Sequence, residues 1–169
     1  MTRRRRIVIA HLTAISVTVI SLTAVAAGRT DVARAGAELA EVRQATANFH
    51  STTAAGSANY LPFLECFEDA AGGMGQHYVN QALLDGNVSA NEPEALVYEV
   101  RPKGKLKLVA VEYIVPDTFV PDPLNPPRLF GQDFEHHPEL PIYKLHAWIW
   151  QANPAGVFSD WNPNVGACP

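Results

Sequence analysis

Two runs of alternating side chains, Ala95–Arg101 and Lys105–Val115, meet at Lys103-Gly104. Period-2 alternation on both sides of a glycine-containing turn predicts a β-hairpin, and a hairpin this long commits the chain to an antiparallel sheet. With a two-residue turn, Val100 faces Lys107, Glu99 faces Leu108 and Val97 faces Ala110. Leu106, Leu108, Ala110, Glu112 and Ile114 then share one face, and Glu99 projects from it as well. Lys105, Lys107, Val109, Val111, Tyr113 and Val115 share the other face.

A second strong strand signal lies near the C-terminus. Ile142, Lys144, His146, Trp148 and Trp150 alternate with Tyr143, Leu145, Ala147 and Ile149. Beyond it, Asn153 suits an N-cap and Pro154 a first helical position, so a short helix is expected from Pro154 to about Trp161. Asn162-Pro163 would end it. All three tryptophans fall in or beside this stretch.

Upstream, Leu39, Val42, Thr46, Phe49 and Thr53 follow the three-four spacing of an amphipathic helix beginning near Ala37. Gly28–Gly36 is small and polar and reads as a linker. Tyr60–Phe67 is apolar, interrupted by Pro62, and reads as a short extended segment. Gly72, Gly73 and Gly75 lack the Lys-Ser/Thr of a phosphate-binding loop, so they read as a tight turn presenting His77 and Tyr78. Pro116–Pro127 and Leu129–Leu140 read as loops, the second holding His136 and His137.

The first 27 residues have a different character. Arg3–Arg6 precede an apolar run through Ala27, and Ala24-Val25-Ala26 is a small-x-small cleavage site. That order is expected of a secretory signal peptide over 1–26; an uncleaved N-terminal membrane anchor is the alternative. Cleavage removes four of the 13 basic residues and none of the 17 acidic ones, leaving a net charge of −8. So acidic a chain is a poor partner for nucleic acid or anionic lipid. Cys66 and Cys168 are the only cysteines. In an oxidising compartment one pair is expected to form one disulfide, and no Cys-x-x-Cys spacing points to redox chemistry. The organisation expected is a signal peptide (1–26), a linker (27–36) and a single globular domain (37–169). Its fold class is α+β: a small antiparallel sheet, an N-terminal helix packed on it, and long loops.

Gly73-Met-Gly-x-His77-Tyr-Val-Asn80, Val111-Glu-Tyr113 with Pro116, and His146-x-Trp-x-Trp150-x-x-Asn-Pro154-x-Gly-x-Phe158 with Trp161-Asn-Pro-Asn-Val165 form a combined pattern. It resembles the recurring motifs of an uncharacterised family of secreted bacterial proteins with no known activity. The resemblance covers most of the chain after the linker. It implies export and a single domain, and it adds no chemistry.

The candidate chemistry therefore rests on individual side chains. Glu112 is a carboxylate among apolar neighbours, so it must be paired, protonated or metal-bound. His146 sits on an aromatic strand. With His77, and Glu99 as a fourth member, these residues form a candidate site for a divalent transition metal, since imidazole and carboxylate donors suit zinc, manganese, iron or copper. The alternative is a structural polar network, because no metal spacing such as His-Glu-x-x-His occurs. Tyr78, Trp148 and Trp150 are candidates for an aromatic-lined sugar or small-molecule site; burial in the core is the competing reading. A small extracytoplasmic hydrolase is the remaining alternative, although no Gly-x-Ser-x-Gly nucleophile elbow is present.

Overall fold

The computed structural model describes residues 22–169, with side chains from residue 33 onward. Residues 1–21, most of the expected leader, lie outside that range. Helix α1 spans Leu22–Thr46. It runs unbroken through the stretch read as a linker. That stretch holds no proline, and single glycines cost a helix only about 1 kcal/mol each. Leu39, Val42 and Thr46 form its buried stripe. A short 3-10 turn follows, then helix α2 (Thr52–Ser57), where Ser51 Oγ accepts a hydrogen bond from the Ala54 amide.

The strands are β1 (Leu61–Asp69), β2 (Gly72–Val79), β3 (Ala95–Arg101), β4 (Lys105–Pro116), β5 (Arg128–Leu129), β6 (Gln132–Asp133), β7 (Glu135–His136) and β8 (Ile142–Ala147). Six of them form one antiparallel sheet in the order β1-β2-β3-β4-β8-β7, while β5 and β6 pair as a small hairpin. The α+β class follows, with β3 and β4 central. One face packs against the helices through Leu39, Val42, Leu96, Tyr98, Val111, Tyr113 and Leu145. Arg43 Nε donates to the Ile149 carbonyl at 2.7 Å and holds α1 to the turn that follows β8. The other face carries two smaller apolar clusters, Val97/Val109/Ala110/Trp148/Val165 and Val79/Ala95/Ile114.

The hairpin differs from its expected register. Arg101 pairs with Lys105 across a three-residue turn in which Lys103 and Gly104 both have positive φ. Glu99 therefore faces Lys107 rather than Leu108. Between Val97↔Ala110 and Tyr98↔Leu108, β4 holds one extra residue, Val109. Such a bulge flips the side-chain alternation beyond it. Leu108 packs on the helix side, whereas Val109 and Ala110 both belong to the opposite side. The uniform face expected from Leu106 to Ile114 is thus two half-faces, with Glu112 and Ile114 on the side away from the helices.

The glycine-rich segment is strand rather than turn. The turn is Ala70-Ala71; Gly72 and Gly73 make room for the tail crossing β2, and Gly75 for the neighbouring strand β3. A Cβ at Gly72 would lie 2.4 Å from the Asn162 carbonyl carbon, and one at Gly75 would lie 2.5 Å from the Tyr98 oxygen, each at a positive φ. The tail docks there through paired hydrogen bonds between Gly73 and Asn162. The helix expected from Pro154 is absent. The Gly156 amide donates to the Asn153 carbonyl and the Ser159 amide to Gly156, making two successive turns, with Gly156 at φ +129°. Beyond the tail's crossing, Cys168 bonds to Cys66.

Candidate metal centre

Three residues of the face away from the helices converge. His77 comes from β2, Glu112 from β4 and His146 from β8, the last directly opposite Glu112 in the register. Glu112 pairs with Ala95 of β3, and that small side chain leaves space above the intervening strand. On a flat sheet β2 and β8 stand about 14 Å apart. Here the two imidazole Nε2 atoms are 3.3 Å apart, so the sheet curls inward on this face. His77 Nε2 lies 3.3 Å from Glu112 Oε2, and His146 Nε2 lies 3.5 Å from Glu112 Oε1. The donor atoms of all three residues fall within 4.8 Å of one another. All three residues are buried.

Burial favours a neutral, lone-pair-bearing His77. Burial pushes the His77 imidazole down to about 4, against the attraction of Glu112. The contacts between Glu112 and the imidazoles are not aligned hydrogen bonds, and the carboxylate makes none to any described residue. His146 Nδ1 sits 3.4 Å from Asp160 Oδ1, likewise unaligned. Lys144 Nζ donates to the same oxygen at 2.6 Å. The polar contact with His146, and then Lys144, hold the Asp160 carboxyl well below the usual carboxylate range despite its partial burial.

His77 and Glu112, with Lys144 and Asp160, line a cleft of about 250 Å³, while His146 is fully buried behind them. The walls of the cleft come from β1 (Phe63, Leu64, Phe67), from Ile114, Leu140 and Ile142, and from Trp161. Phe67 meets the His77 ring edge-on, with centroids 5.8 Å apart.

The remaining candidates lie elsewhere. Glu99 shares a face with Glu112, but Ala95, not Glu99, is opposite Glu112. Four residues of strand separate the two by about 13 Å. Glu99 instead accepts from the Gly166 amide at 3.1 Å and from Arg101 Nε at 2.8 Å. Tyr78 follows His77 and so faces the helices, packing on Tyr98 at 4.8 Å. Trp148 stays on the cluster's side but is buried beneath it, its ring parallel to His146. Trp150 crosses to the helix side, because β8 ends at Ala147 in a tight turn closed by the Ile149 amide. Its Nε1 donates to Thr46 Oγ1. None of the three aromatics is among the residues lining the cleft.

Sequence reasoning did not single out Asp160, Lys144 or the β1 wall. Lys144 had a signal: it shares the inward face of its strand with His146, and a buried lysine requires an anion. Asp160 had none, since two turns bring it back to the strand. His136 and His137 diverge as expected of adjacent side chains. His136 Nε2 contacts Asp117 at 3.0 Å, while His137 accepts two backbone amides through Nδ1 and lines the cleft.

One more buried carboxyl lies apart from the cluster. Glu94 Oε2 accepts from the Ile114 amide at 3.0 Å, and burial raises the carboxyl from 4.5 to about 8. The folded state holds a proton that the unfolded state releases, so Glu94 favours folding at low pH and loses that contribution as pH rises towards 8. His77 has the opposite sign: its folded value is depressed, so stability rises with pH between about 4 and 6.5. The two slopes oppose each other from about 4.5 to 6.5, and Glu94 acts alone above that. Metal-free protein is expected to lose about 2 kcal/mol between pH 6.5 and 8. Urea unfolding should find this decline absent in Glu94→Gln; an equal decline in the variant would place its origin elsewhere.

The chain matches no family model, no curated protein and no solved structure.

Proposed function

We propose that the protein is an exported metal-binding protein whose centre is His77, Glu112 and His146. The observation that carries this reading is a buried carboxylate facing two imidazole nitrogens with no aligned hydrogen bond to either. A largely buried carboxylate at the base of a cleft is stabilised when a positive centre meets it. Donors held 2.0–2.2 Å from one ion at tetrahedral angles stand about 3.3–3.6 Å apart. The two imidazole nitrogens stand 3.3 Å apart, and each faces a different oxygen of Glu112 at 3.3 and 3.5 Å, so the carboxylate can meet one ion through either oxygen or both. Two imidazoles and a carboxylate on one side of an ion leave positions open towards the cleft, a donor set used by zinc hydrolases and by non-haem iron(II) sites. Asp160 Oδ1, 3.4 Å from His146 Nδ1, is placed to become the outer carboxylate of that histidine once the ring turns to donate to it.

Elemental analysis of protein purified from its native compartment tests the assignment. About one equivalent of zinc or iron per chain is expected, removable by chelator and restored on readdition. Protein that stays metal-free after incubation with Zn²⁺, Fe²⁺ and Mn²⁺ would overturn it. Asp160→Asn should weaken metal binding by about 10- to 100-fold without abolishing it. Competition with a chromophoric chelator reads that change; an unaltered affinity would remove Asp160 from the site.

Export is supported by the basic-apolar-small leader and by the disulfide, which persists in oxidising compartments. Intact-mass measurement should find a mature N-terminus near Ala27. Full-length chain in the membrane fraction would favour the anchor instead.

A further inference from the structure

We propose that the cleft binds a small monoanionic amphiphile, such as a medium-chain or aryl-alkyl carboxylate, with its carboxylate on the metal and its apolar body against β1. This inference rests on the metal centre proposed above and adds the ligand class.

Two features of the site lead to it. The first is charge. A divalent ion held by Glu112 and two neutral imidazoles leaves one net positive charge. Lys144 and Asp160 neutralise each other at 2.6 Å, and Glu135, 3.9 Å from Lys144, is exposed and screened by solvent, so none of them compensates the ion. An uncompensated charge at the floor of an apolar cleft is costly, and one anionic ligand group balances it. The second is the wall. Leu64, Phe63 and Phe67 remain 53 %, 41 % and 37 % exposed, in a strand whose neighbours bury comparable side chains. All three line the cleft that opens over His77 and Glu112, together with Ile114, Leu140 and Ile142. At about 250 Å³ the cleft lies below the about 300–1,000 Å³ of pockets for drug-sized ligands, which points to a small molecule. A cationic head is disfavoured by the ion. A neutral polar head leaves the charge unbalanced.

The probe is protein loaded with Co²⁺, whose visible spectrum reports ligand entry, titrated with straight-chain carboxylates from acetate to octanoate. Metal content is measured first. Affinity should rise about fourfold per methylene until the chain outgrows the cleft. Hexylammonium should not perturb the spectrum. The paired variant Phe63→Ser/Leu64→Ser changes side chains that touch solvent, so its metal content should match the unaltered chain while the dependence on chain length flattens. One equivalent of metal with affinity independent of chain length, or with hexylammonium binding as tightly as hexanoate, overturns the ligand class and leaves the metal centre standing. Failure to take up metal removes both.

Discussion

Glu112→Gln is expected to fold and to take up no metal. The substitution keeps the shape of the side chain and removes the only anionic donor of the cluster. Loss of an outer-shell partner already costs 10- to 100-fold in affinity, so loss of this ligand should cost more than about 100-fold. Stability should move the other way in metal-free protein. Wild type then buries a carboxylate without an aligned hydrogen bond, and glutamine removes that penalty, which is on the order of 1–3 kcal/mol. With metal present the order reverses: an ion at 100 times its dissociation constant adds about 2.7 kcal/mol to wild type alone. Equilibrium dialysis and thermal unfolding, with and without chelator, separate the two effects. A variant that keeps one equivalent of metal would show that Glu112 is not a ligand. One that is less stable than wild type in chelator would show that its carboxylate already has a compensating partner.

Removing the disulfide should have the next largest effect. The bond joins residues 102 apart, with Cα atoms 5.8 Å from each other. Restricting the unfolded chain over a loop of that length contributes up to about 4.7 kcal/mol, and losses of about 2–5 kcal/mol are usual in small exported domains. The lower part of that range is expected for Cys66→Ser/Cys168→Ser, because the tail has other anchors. The Gly166 amide donates to Glu99, and Val165 is buried beside Trp148. Cys66 lies on the irregular stretch of β1, where pairing with β2 lapses between Phe63 and Phe67. Hydrogen exchange should therefore quicken in residues 162–168 and in β1 together. The proposed metal ligands stand on β2, β4 and β8, so uptake should persist. Unchanged stability under reducing conditions would mean that the non-covalent anchors alone hold the tail.

Much of this architecture was legible in the sequence because its signals are local. Period-2 alternation marked β3, β4 and β8, three-four spacing marked the buried stripe of α1, and a single cysteine pair left one possible bridge. Those patterns record which side of an element meets water, a property each segment carries by itself. An isolated polar side chain on an apolar strand is local too, and it singled out Glu112 and His146. What tertiary structure decided was register and crossing. One extra residue at Val109 changed which side chains share a face, and four residues of strand separated Glu99 from the cluster. The end of β8 at Ala147 sent Trp150 to the helix side. The glycines of β2 read as a turn because their requirement is imposed by Asn162 and Tyr98, which are distant in sequence. Asp160 entered the site through a tail bridged to β2 and closed by a disulfide. The composition of the candidate metal centre therefore lay in single residues and their nearest neighbours. Its closure came from the curl of a sheet whose strands are far apart along the chain.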